Sequence, residues 1–109
     1  MGKDTFIIQE FKKYKVFLNC GSSTIKYDYA VHLILKSGKA IIRFKSGRLK
    51  KNTCKHTGKN SLYEVYCSTE NYAAFIDLLR NEKPLYFYHN LEDHSSYVTT
   101  SDEPVGEGE

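Results

Sequence analysis

The 109-residue chain has no tryptophan, only two prolines, and three cysteines with no CxxC pair among them. Cys20, Cys54 and Cys67 cannot all pair within one chain, and no spacing matches a zinc finger or ribbon, so neither a disulfide framework nor a bound metal is expected. The opening MGKDTFIIQE lacks the apolar core and cleavage site of a secretory signal. It carries Gly2 but has Phe6 where N-myristoylation needs Ser or Thr. No apolar run approaches the roughly 18 residues of a membrane-spanning helix. A phosphate-cradling loop is missing too, since the SGK at 37–39 has neither the Walker spacing nor the hydroxyl residue that follows it. These absences predict a soluble, cytoplasmic, thiol-reduced protein with no cofactor and no membrane partner. No internal repeat, domain boundary or family signature stands out, so one domain over 1–100 is expected, followed by an acidic, flexible tail over 101–109 (SDEPVGEGE).

One further absence is the most informative. Between Asp28 and Glu64 there is no acid, while Lys36, Lys39, Arg43, Lys45, Arg48, Lys50, Lys51, Lys55 and Lys59 all fall in that interval. The net charge of +3 therefore hides a polarised molecule, with a strongly basic middle and an acidic remainder.

What is present is enough for a core. Hydrophobic residues make up 40% of the chain and aromatic residues 14%, nine of them tyrosine, so a hydrophobic core needs no staple. The period-two alternation of Ile25, Tyr27, Tyr29, Val31, Leu33 and Leu35 predicts a half-buried strand. Ser37-Gly38 then serves as a two-residue hairpin turn, setting Leu35 opposite Ala40, Leu33 opposite Ile42 and Lys36 opposite Lys39. Tyr14, Val16, Leu18 and Cys20 alternate likewise over 13–20. Residues 5–12 fit a helical spacing as well, though their Phe and Ile content favours extended structure. SLYEVYC reads as a strand. STENYAAFIDLLRNEKP reads as the helix, about 69–81: Ser68 at its cap, Tyr72, Phe75, Ile76 and Leu79 on one stripe, Pro84 ending it. The LYFYHNLEDHSSYVTT segment reads as a hairpin that pairs Tyr88 with Tyr97 and Phe87 with Val98. The expected fold is α+β, a mostly antiparallel sheet of about five to seven strands with one helix packed on one face.

Two surfaces follow. Lys36, Lys39, Arg43 and Lys45 fall on the face away from the core, and the loop 48–59 extends it with Arg48, Lys50, Lys51, Lys55 and Lys59. Such a face attracts phosphate-bearing partners, nucleic acid first, although an antiparallel sheet also needs a wet face and Lys commonly supplies it. Tyr86, Tyr88 and Tyr97 form a second, aromatic surface, suited to a homodimer or to a protein or small-ligand contact; residues 5–12 are the candidate cover for it. A sheet this short also leaves an open edge, which homodimers commonly bury about a two-fold axis.

Candidates for chemistry are weak. Cys54 and His56, beside Lys50, Lys51 and Lys55, raise the idea of an activated thiol, but a base two residues away in a loop seldom serves a catalytic cysteine. His89 and His94 come out as diagonal neighbours on one face, too few ligands for zinc. No carboxylate recommends itself as an acid or base. The leading expectation is a non-enzymatic binding module using the 36–59 surface; the tyrosine-faced homodimer or ligand-binding domain comes second, a cysteine-dependent enzyme third.

Overall fold

The computed structural model describes residues 6–21 and 27–101. The element order is β1 (Phe6–Phe11), β2 (Lys13–Leu18), β3 (Tyr29–Leu35), β4 (Gly38–Lys45), β5 (Thr53–Thr57), β6 (Asn60–Ser68), a 3-10 turn (Thr69–Asn71) running into α1 (Tyr72–Asn81), then β7 (Leu85–Asn90) and β8 (Ser96–Thr100). The strands build two sheets, one ordered β1-β7-β8 and the other β2-β3-β4-β6-β5. Every pairing is antiparallel except that of β4 with β6. The fold is thus α+β with a single helix, and the 3-10 turn and α1 together occupy the predicted 69–81. Apart from Ser101, the acidic tail lies outside the described residues.

Alternation decides which side chains make the core. Val31, Leu33 and Leu35 of β3, Ala40, Ile42 and Phe44 of β4, and Tyr63 and Val65 of β6 are all buried on one face of the five-stranded sheet. The three-stranded sheet covers part of that face, with Phe87 and His89 bringing their rings to 5.2 and 4.9 Å from Tyr63. Helix α1 covers a further part: Tyr72 stacks on Tyr29 at 3.6 Å and Phe75 meets Phe44 at 5.3 Å. The Phe87 face therefore packs against the larger sheet. On the predicted stripe Leu79 is buried, whereas Phe75 and Ile76 are half-buried against the core's margin. Lys12 alone links β1 in one sheet to β2 in the other.

Two expectations change. The β3–β4 turn is Lys36-Ser37, with Leu35 opposite Gly38, Leu33 opposite Ala40 and Val31 opposite Ile42, two positions from the predicted register. The reason lies in β6. Gly38 belongs to the ladder, paired with Ser61, at φ +132, and a Cβ there would stand 1.9 Å from the Ser61 carbonyl oxygen. Only glycine fits that approach. A shift of two preserves which side chains share a face, so the core assignment survives, while the Lys36–Lys39 pair disappears. The second change is β5, a strand inside the segment expected to be a loop, hydrogen-bonded along β6.

Candidate nucleic-acid interface on the outer sheet face

The side of the five-stranded sheet turned away from the core carries a mixed set of residues. By register, Lys13, Lys15 and Phe17 of β2 lie beside Ile34, His32 and Ala30 of β3. These lie beside Lys39, Ile41 and Arg43 of β4, followed by Leu62, Glu64 and Tyr66 of β6 and Lys55 and Thr53 of β5. Of the predicted basic residues, Lys39, Arg43, Lys45 and Lys55 meet on this face. Lys36 and Lys59 sit in the two turns at one end of the sheet, joined there by a hydrogen bond from Ser61 N–H to the Ser37 carbonyl. Arg48, Lys50 and Lys51 are exposed in the connection after β4, at the other end. That connection is tied down by Asn52, which donates to the His94 carbonyl (2.9 Å) and accepts from Tyr66 N–H (2.9 Å).

Lys13 and Lys15 were not among the sequence candidates. Their signal was present, since both take the polar phase of a strand pattern whose apolar phase is Tyr14, Val16 and Leu18.

Glu64 is the one acid within the ladder of this face among the described residues. Its carboxylate accepts from Arg43 Nη1 at 3.2 Å and from Thr53 Oγ1 at 3.0 Å, with Lys55 Nζ at 3.9 Å. Burial alone would raise its pKa, but the hydrogen bonds from Thr53 and Arg43 and the charges of Arg43 and Lys55 hold it below the ordinary value. Arg43 also lies over two rings, 5.4 Å from Tyr27 and 5.9 Å from Tyr66. His32 is pushed below the usual histidine range, first by burial and then by the positive charges of Lys39, Arg43 and Lys15. The imidazole thus senses the combined field of the two strands that flank β3.

The face is also aromatic. Phe17 packs on His32 with ring centroids 4.5 Å apart, and Lys15 Nζ sits 5.7 Å over Phe17. Phe17, Tyr27, His32 and Ala30 line a pocket of about 260 Å³. Asp28 stands at its rim, its carboxylate accepting from the Thr69 and Ser46 hydroxyls.

Tyr86 and Tyr88 are half-buried, and Tyr97 is 56% exposed, on the far side of the molecule. Tyr88 and Tyr97 are opposite as expected, with rings 5.3 Å apart. Residues 6–11 do not cover them. Strand β1 lies beside β7 in the same sheet, so Phe6 adds its ring to the cluster, stacked on Tyr88 at 5.2 Å.

The remaining chemistry is modest. As strand neighbours at i and i+2, Cys54 Sγ and His56 Nε2 come within 3.7 Å, and His56 Nδ1 is 2.9 Å from Ser61 Oγ. Nearby lysines were expected to lower the thiol's pKa. Burial raises it instead, because Lys55 belongs to the opposite face of β5, and this works against a thiolate. His89 is fully buried, its ring nitrogens 2.8 Å from Ser96 Oγ and 3.1 Å from His94 Nδ1. Among the described residues no three His, Cys, Asp or Glu side chains gather as a metal would need, and no helix is long and apolar enough to cross a membrane. The three cysteines are free thiols.

No protein-family model, curated protein or solved structure matches the chain.

Proposed function

We propose that this protein is a non-enzymatic nucleic-acid-binding domain that lays a single strand across the outer face of the five-stranded sheet. The observation that carries the reading is the interleaving of cations and rings there: the Phe17–Tyr27–His32 pocket of about 260 Å³ flanked by Lys15 and Arg43. Lysines along a groove or sheet neutralise phosphates, and exposed rings accept bases by stacking, whatever the base. A sheet face offers no helix or ribbon to enter a major groove, which favours single strands over duplex. Thirteen lysines against three arginines suit backbone attraction better than bidentate reading of base edges.

The test is fluorescence anisotropy with labelled single-stranded RNA and DNA, from about 25 to 300 mM salt. Binding should weaken log-linearly with salt. Phe17→Ala should cost roughly 5- to 150-fold in affinity, the value of one stacked base; Phe17 is 43% exposed, so the fold should survive its loss. Lys39→Glu should weaken all sequences alike. No binding at the lowest salt, or binding indifferent to salt, rejects the proposal.

A second reading rests on the exposure of Tyr97, Ile8 (55%) and Phe6 (42%) around Tyr88. In it the tyrosine face contacts a protein or small apolar ligand and the lysines only keep the sheet soluble. Tyr97→Ala then abolishes partner binding while Lys39→Glu does nothing.

A further inference from the structure

We infer that the chain pairs with a second copy of itself through β2, edge to edge and antiparallel, about a two-fold axis passing through Val16. This goes beyond the nucleic-acid reading and does not depend on it.

Strand β2 ends the five-stranded sheet, and among the described residues no strand pairs with its far edge. All six of its residues are exposed. Four of them are large and apolar: Tyr14 (36%), Val16 (40%), Phe17 (43%) and Leu18 (61%). Natural edges are usually blunted by charge, proline, a bulge or a covering element. Here Lys13 and Lys15 stand at one end and nothing interrupts VFL at the other. An edge of this kind is a template for another strand.

The sequence of β2 selects a second copy, and one register. A two-fold axis perpendicular to the sheet keeps faces matched, so only residues of the same phase can oppose each other. With the axis on Lys15, Lys15 meets Lys15 of the second copy, which is repulsive. Centred on Phe17, the axis leaves only residues 16–18 of each strand paired. An axis on Val16 pairs 14 through 18 and satisfies both faces. On the core side Tyr14 opposes Leu18 of the second copy, and Val16 opposes itself. On the outer side Lys15 opposes Phe17, repeating between chains the cation–ring contact already present within one, at 5.7 Å.

A cleft makes the match self-complementary. Phe11, Tyr14, Leu79, Pro84 and Leu85 form the apolar part of a cavity of about 430 Å³ between the end of α1 and the β1–β2 corner, with the charged Glu10, Lys12, Glu82 and Lys83 completing its lining. Tyr14 forms one wall, so the opposing Leu18 arrives at the cavity mouth. Leu18 is the most exposed large apolar residue among those described. Each copy supplies one knob and one hole. The two outer faces would join in one ten-stranded surface.

Sedimentation velocity without nucleic acid, at about 5 to 300 μM, tests the pairing. The parent chain should associate reversibly to a dimer. Val16→Lys sets two like charges on the axis and should raise the dissociation constant by about tenfold or more. Val16→Cys in a Cys20→Ser background keeps the test decisive should the lysine disturb the fold: mild oxidation should give a covalent dimer, while Tyr97→Cys in the same background should not. A parent that stays monomeric throughout overturns the inference and leaves the edge to a strand of another protein. A dimer that persists in Val16→Lys, or a Val16→Cys dimer that will not cross-link, overturns it in favour of another surface.

Discussion

Replacing Glu64 by Gln should move stability and binding in opposite directions. The carboxylate holds Arg43 at 3.2 Å and Thr53 at 3.0 Å, and the Arg43 and Glu64 side chains are only about one-fifth exposed (22% and 20%). The amide keeps one acceptor oxygen but no charge. The Thr53 hydrogen bond to a charged acceptor, worth about 1.5–3 kcal/mol, becomes at best a neutral one of about 0.5–1.5, while Arg43 remains a charged donor, so the expected loss is near 1 kcal/mol. For a domain of this size that lowers the melting temperature by roughly 4–8 °C. Binding should improve. The outer face gains one net positive charge, and Arg43 is released toward a phosphate while keeping its place over Tyr27 and Tyr66. A charge change several ångströms from a phosphate in near-aqueous surroundings is worth about 0.5–1 kcal/mol, a roughly two- to fivefold tighter complex. One further neutralised phosphate steepens the log–log salt slope by up to about 0.7. Anisotropy titrations and thermal melts on the same preparations read both effects. Asp77→Asn is the control, an equal charge change on the exposed surface of α1, and should leave binding nearly unmoved. If Glu64→Gln melts lower yet binds no better than its parent, the outer face is not where the ligand lies.

Two other expectations follow from buried polar groups. The Tyr63 hydroxyl is enclosed beside Cys54 and Ser61 without a well-formed hydrogen bond, so Tyr63→Phe should stabilise the fold by about 1 kcal/mol in denaturant titrations; a loss of that size would show that the hydroxyl is bonded after all. His89 is held below its ordinary pKa of 6.5, first by burial and then by His94; the unfolded chain therefore takes up a proton the folded one refuses, and stability falls as pH drops below about 6.5 toward the depressed folded value. Melts from pH 7.5 to 5.5 should show this decline, reduced in His89→Phe with a residue left from His32, which is shifted the same way; a slope untouched by His89→Phe would refute the assignment.

Local pattern carried much of the fold in the sequence itself. The β7–β8 hairpin was legible down to Tyr88 opposite Tyr97 because alternation and the polar turn residues agree. Strand β5 was not, because its core-side phase is carried by Cys54 and the exposed His56, which give no apolar pattern to detect. The β3–β4 register was set by Ser61 of β6 crowding Gly38, a contact between segments that no local pattern encodes. The candidate site shows the same division. Lys39, Arg43 and Lys45 could be placed on one face from a single strand's phase. The contributions of Lys15, Phe17 and Glu64 needed the strand order, which sets β2 and β6 on either side of the β3–β4 hairpin.

That order also bears on how the chain reaches its final form. The β3–β4 and β5–β6 hairpins each close over a two-residue turn, and such units assemble within microseconds. They meet along one parallel seam, from Gly38–Ser61 to Lys45–Ser68. Closing that seam requires the seven residues between β4 and β5 to loop back, a non-local step of the kind that slows folding. Joining the two hairpins is therefore the step expected to come last. Until it happens, the outer face exists only as two separate ribbons, with Arg43 on one and Glu64 on the other.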